Sequence, residues 1–172
     1  MTNARRTLAT AAAVTLIVAG VGLFTTARAA GSANTTLGVA ATVKVNCSIS
    51  TVAVAFIGQY DPLAVSDLTG QGTIKVACTK GAVTRIDLDL GLWKTGSARR
   101  LKNGAEYLTY ELFSDAPGGT VWGSTADGTG AGVAYTAGSK AETSLPVFAS
   151  VTAAQDVSAG TFNDTVAATI NF

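Results

Sequence analysis

The segment TLGVAATVKVNC, residues 36–47, alternates without a break: Leu37, Val39, Ala41, Val43, Val45 and Cys47 hold the odd positions, with Thr36, Gly38, Ala40, Thr42, Lys44 and Asn46 between. A two-residue period sends successive side chains to opposite faces, which suits a strand and not a helix. The same period returns along the chain. TVAVAF (51–56) and TIKVACT (73–79) carry it, and so does RIDLDLG (85–91), which places Ile86, Leu88 and Leu90 on one face and Asp87 and Asp89 on a solvated one. EYLTYELFSD sets Leu108, Tyr110 and Leu112 against Tyr107, Thr109, Glu111 and Phe113, and the closing run sets Val166, Ala168, Ile170 and Phe172 on one face. Beyond position 29 no helix-length window has a 3.6-residue period. Short strands separated by turn signals predict an all-β protein, a β-sandwich.

Turn chemistry divides the strands. GQYDPLAVSDLTGQG and Lys80-Gly81 are breaks, and KTGSARRLKNG reads as a polar hairpin loop turning at Asn103-Gly104. Arg99 and Arg100 are then solubilising loop residues, with contact to a partner as the functional alternative. Residues 117–138 read as mostly loop, with Val121-Trp122 as a strand nucleus. Trp93 and Trp122 are expected in the core or at its edge, and Pro146 within SLPVFASVTA suggests an edge strand or a bulge.

The chain opens with Arg5 and Arg6, an apolar run from Leu8 to Phe24, and Ala27-Arg28-Ala29. That order is the pattern of a secretory signal peptide over residues 1–29. A membrane span would need about 20 strongly apolar residues, and Thr10, Thr15, Gly20 and Gly22 dilute this run. Cleavage after Ala29 leaves 143 of the 172 residues, one domain's worth, with no mature membrane span. It removes Arg5, Arg6 and Arg28 from the 12 basic residues, so nine face 11 acidic ones and the net charge becomes −2. Such a balance offers no footprint for nucleic acid or an anionic membrane.

Cys47 and Cys78 are the two cysteines and histidine is absent. In an exported domain an even count predicts a disulfide, and two cysteines without histidine are too few for a zinc site. No cofactor is expected. Base, nucleophile and oxyanion donor cannot be assembled from these residues, and acids such as Asp115 and Asp127 in glycine-rich loops usually serve turns, so the chain is not read as an enzyme. Asp164 is expected to fix the turn into the last strand. Asn34-Thr35-Thr36 and Asn163-Asp164-Thr165 match the glycosylation acceptor pattern, which carries little weight in a bacterial-looking protein.

The final strand keeps its inward parity to Phe172, and residues 162–172 contain neither Pro nor Lys to blunt an edge. The leading segment, with Lys44 its one charge from Ala30 to Val45, is a natural complement whose apolar side chains repeat every ~6.6 Å. Two other readings stay open: the first strand of the chain's own sandwich, or a disordered leader.

VNCSIS, GQYDPL, VACTKG, RRLKNGAEYLTYELFSDA, VWG and AGTFNDTVAATINF, in this order and spacing, resemble the spore coat protein U family, which includes archaic chaperone-usher pilus subunits. The chain departs from the pattern where Ile57 separates Phe56 from Gly58, suggesting a bulge there, and where Phe162 stands in place of a tyrosine. The resemblance implies an incomplete immunoglobulin-like sandwich lacking its final strand. It implies a donor-strand extension at 30–45, with Leu37, Val39, Ala41 and Val43 as the donated side chains, and a pilin domain at 46–172. Val166, Ala168, Ile170 and Phe172 would form the acceptor groove and chaperone contact. The implied partners are a periplasmic pilus chaperone, an outer-membrane usher and other copies, in a surface fibre serving adhesion and biofilm formation. The alternative is a self-complemented spore-coat or envelope binding module.

Overall fold

The computed structural model describes residues 30–56 and 58–172, with the backbone alone at Ala55. The expected signal peptide, 1–29, and Ile57 lie outside the described residues. Contacts divide the chain between Ala40 and Ala41, and the larger unit is Ala41–Phe172. In the smaller unit, residues 30–40 are exposed and carry no strand.

The larger unit holds eight strands among the described residues, and no helix. They are β1 (Cys47–Phe56), β2 (Leu68–Cys78), β3 (Val83–Leu88), β4 (Arg99–Asn103), β5 (Glu106–Phe113), β6 (Val133–Thr136), β7 (Thr143–Val151) and β8 (Ala168–Asn171). One sheet has the order β1-β2-β7-β5-β4, the other β6-β3-β8, and every pairing is antiparallel. Ile74, Val76, Ile86, Leu88, Leu112, Trp122, Val147, Ala149 and Val151 are buried in one core cluster. Each buried aliphatic side chain contributes about 1.5–3 kcal/mol. Trp122 satisfies its indole N–H by donating to the Ile86 carbonyl at 2.9 Å.

Cys47 and Cys78 face each other across β1 and β2 with Cα atoms 4.1 Å apart and are bonded, as expected. The alternation over residues 36–47 that suits a strand becomes one only at Cys47. Neither sheet takes in an earlier residue, and strand propensity without a neighbouring ladder does not make a strand.

Four local readings need correction. RRLKN is not a loop but β4, and Arg99 is wholly buried in it: its guanidinium donates to the carbonyls of Leu88, Asp89 and Trp122 and pairs with Glu111. A buried charge is tolerable only when so fully partnered. Asp87 is not on a solvated face either; Arg85 and Asn171 cover it and donate to its carboxylate. Pro146 lies in an interior strand, β7. Only Phe148–Val151 of β7 pair with β5, so at Pro146 the strand has β2 alone beside it and one flank needs no N–H. Finally, β6 rises from the glycine-rich stretch read as loop, while Val121 and Trp122 make isolated bridges.

Candidate functional site

Both sheets end in an open strand on the same side of the sandwich. Among the described residues β1 pairs only with β2, and β8 only with β3; the two open strands lie against each other across the layers. Between them is a cleft of about 290 Å³. Thr51 to Val54 and Phe56 form one wall, and Asp164, Thr165, Val166 and Ala168 the other. Its floor is the core itself, where Ile74, Leu88, Tyr110, Leu112 and Val147 come to the surface of the cleft.

The β1 wall follows from a bulge. Cys47 and Ile49 turn inward on odd positions, the register with β2 shifts between Val52 and Ala55, and beyond it Val54 and Phe56 turn inward on even ones. The bulge expected at Ile57 lies outside the described residues, and Phe56 packs on the core. Gly72 on β2 makes room for the register shift: a Cβ there would stand 2.9 Å from the Val52 carbonyl oxygen and 3.0 Å from Val54.

The opposite wall is positioned by hydrogen bonds before it becomes a strand. Asn163 and Lys102 exchange backbone bonds of 3.1 and 2.9 Å. Asp164 then accepts from the Tyr110 hydroxyl (2.7 Å) and the Leu92 amide (2.9 Å), so it anchors the approach to β8 as expected. Gly91, at φ 76°, allows that approach, since a Cβ would run into the Asp164 carboxylate. Asp89 accepts from the amides of Gly91 and Ala167, each at 2.9 Å. Burial pushes the Tyr110 hydroxyl well above its ordinary pKa, and the Asp164 carboxylate adds to the shift by accepting its hydrogen bond.

Val166, Ala168 and Ile170 do share the inward face and pack against the core, each half-buried. Phe172 lies beyond β8 and is 61% exposed. Leu37, Val39, Ala41 and Val43 are all exposed, Leu37 and Val39 at 88%. The β1 wall and the cleft floor escaped the sequence reading, because a parity switch inside TVAVAF leaves no mark on hydropathy. Gly72, a glycine within a run of strand formers, was the available signal.

Chemically the cleft offers apolar side chains, an open backbone edge on each flank and one carboxylate–phenol pair. Asp115, weighed above with Asp127 as a catalytic acid, accepts from the Ala116 and Thr120 amides and the Thr120 hydroxyl. These bonds hold its carboxyl below the usual range in a turn. Among the described residues no cluster of three His, Cys, Asp or Glu could hold a metal. No described helix is long and apolar enough to cross a membrane.

Comparison with known proteins adds three findings. The Spore Coat Protein U domain model matches residues 33–169. Protein U of Myxococcus xanthus is 34% identical over 179 aligned residues, which take in 95% of this chain and 97% of that protein. Among solved structures, the fold is similar to the CsuC-CsuE chaperone-tip adhesion subunit pre-assembly complex from archaic chaperone-usher Csu pili of Acinetobacter baumannii, with a TM-score of 0.56 and 21% identity over 76% of this chain. The chain spans 40% of the length of that solved chain.

Proposed function

The chain belongs to the Spore Coat Protein U domain family, a family of structural proteins and not enzymes, and we propose that it is a fibre subunit that polymerises by donor-strand exchange. The leading segment of one copy, with Leu37, Val39, Ala41 and Val43 turned inward, enters the cleft of another and pairs with the open edge of β8. A periplasmic chaperone fills the cleft beforehand, and an outer-membrane usher exchanges the chaperone strand for the leader. The product is a surface fibre with roles in adhesion and biofilm formation.

One observation carries this reading. Among the described residues β8 has a strand on one side only, and the side left open borders a cleft whose floor is the hydrophobic core. Proteins normally protect such an edge with charge, proline or a covering loop. Adding an extended peptide to it is β-augmentation, the mode by which chaperones complement pilins with a strand. Burying the four leader side chains removes roughly 300–400 Å² of apolar surface from water, a gross gain of about 8–10 kcal/mol before ordering costs. The backbone ladder adds to it.

Deleting residues 30–43 is expected to leave chaperone binding intact and to abolish fibre extension, read by electrophoresis of unheated samples. Unchanged polymers from the deletion would refute the reading. The Spore Coat Protein U domain match also leaves room for a second reading, a self-complemented spore-coat or envelope binding module in which the leader closes its own cleft. That protein would elute as a stable monomer when expressed without a chaperone, whereas the fibre subunit would aggregate or form a ladder.

A further inference from the structure

The two ends of the sandwich differ in charge and both are apolar, and we propose that they form a second contact between successive copies, body against body, apart from the strand in the cleft. This contact rests on the fibre reading above.

Chain direction sorts the residues. At one end lie the loop 58–67 between β1 and β2 and the segment 152–160 after β7; Tyr60 ties them by donating to the Thr152 carbonyl at 3.0 Å and accepting from the Gln155 amide at 2.8 Å. Leu63 and Val65 stand out there, 90% and 98% exposed. Beside them is a cavity of about 430 Å³ walled by Tyr60, Pro62, Leu108, Val157 and Phe162. The charges of these two segments are all acidic: Asp61, Asp67 and Asp156. The cations of this end lie toward the far edge of the sheet: Arg100 and Lys102 on β4, where they stack on Tyr107 and Trp93, and Lys94 in the β3–β4 connection beside them.

At the opposite end lie Cys47, the turn after Cys78, the β6–β7 connection and the end of β8. Its exposed apolar residues are Val45, Val83 and Phe172. Its charges are Lys44, Lys80 and Lys140 against Asp115, in the hairpin that continues β5 toward this end, with Glu142 already paired to Lys75 at 3.2 Å. An acidic, apolar end and a basic, apolar end complement each other head to tail. Such a contact does not close and makes a filament.

Strand polarity brings these same ends together. Every ladder in both sheets is antiparallel, and β8 runs toward the Cys47 end. A leader added antiparallel to β8 therefore runs the other way and emerges at the Leu63–Val65 end. Its own body, which begins at Cys47, is delivered with its basic end facing the acceptor's acidic one. A leader parallel to β8 would instead bring two basic ends together.

The test uses the full chain and a synthetic peptide of residues 36–47. In Val65→Lys/Asp156→Lys, both side chains exposed, peptide uptake by the cleft is expected to equal wild type, which also reports correct folding. Assembly of full chains is expected to slow by about tenfold at low salt and by less at high salt. Donor chains carrying Lys80→Glu/Lys140→Glu are expected to restore the rate to this acceptor while slowing assembly onto wild type. Normal peptide uptake with wild-type assembly rates, or slowing without restoration by the reversed donor, overturns the inference. Failure of the wild-type chain to take up the peptide overturns the fibre reading itself.

Discussion

Arg99 shows how much of the fold can rest on one residue. Its guanidinium reaches from β4 in the larger sheet to carbonyls at the end of β3 and at Trp122, and so ties the two layers together beside the cleft. Arg99→Ala strands those acceptors and the Glu111 carboxylate, and is expected to destabilise the body by about 3–5 kcal/mol in urea titration. Arg99→Lys should recover little, since an ammonium cannot reproduce the planar fork. Tyr110 makes a second test. Its raised pKa means that the folded state holds the phenolic proton more tightly than the unfolded one. That contribution is complete below the unfolded value of about 10 and is lost as pH climbs from there toward the folded value. Tyr110→Phe is expected to cost about 1–2 kcal/mol at neutral pH, by loss of the bond to Asp164, and the gap to wild type should narrow above pH ~10. A gap that stays constant with pH would mean that the hydroxyl does not carry the effect.

At the scale of elements, legibility followed hydropathy. β2, β5 and β8 could be read because their inward positions are apolar, and the disulfide because an even count of cysteines in a chain expected to be exported predicts one. β4 was hidden because its inward residue is Arg99, whose partners are 10 to 23 residues away in sequence. β6 was hidden because four residues among glycines give too short a pattern. Of the cleft, Val166 and Ala168 were legible as an apolar face; the β1 wall was not, because the bulge reverses parity between Ile49 and Val54. Two predictions belong here. Closing a loop with a sequence separation of 31, the Cys47–Cys78 bond should contribute about 3–4 kcal/mol, read as the fall in unfolding midpoint of Cys47→Ser/Cys78→Ser. Gly72→Ala should shift the β1 wall and weaken uptake of the 36–47 peptide by more than it lowers stability, checked by running both titrations on one sample. Equal losses in the two would assign Gly72 a purely structural part.

The whole molecule combines an alternating, exposed leader with a sandwich whose two open strands flank its core. Each half alone is a liability, since exposed alternating apolar residues and unblunted edges both promote aggregation. Placed on one chain, they fit the proposal that polymerisation closes the core. The direct measurement is amide exchange along residues 166–172 of the purified chain, first alone and then after addition of the 36–47 peptide. The account predicts fast exchange in the lone chain for amides on the open side of β8, and strong protection once the peptide is bound or the chains have assembled. Full protection in a lone chain that stays monomeric when concentrated would contradict it.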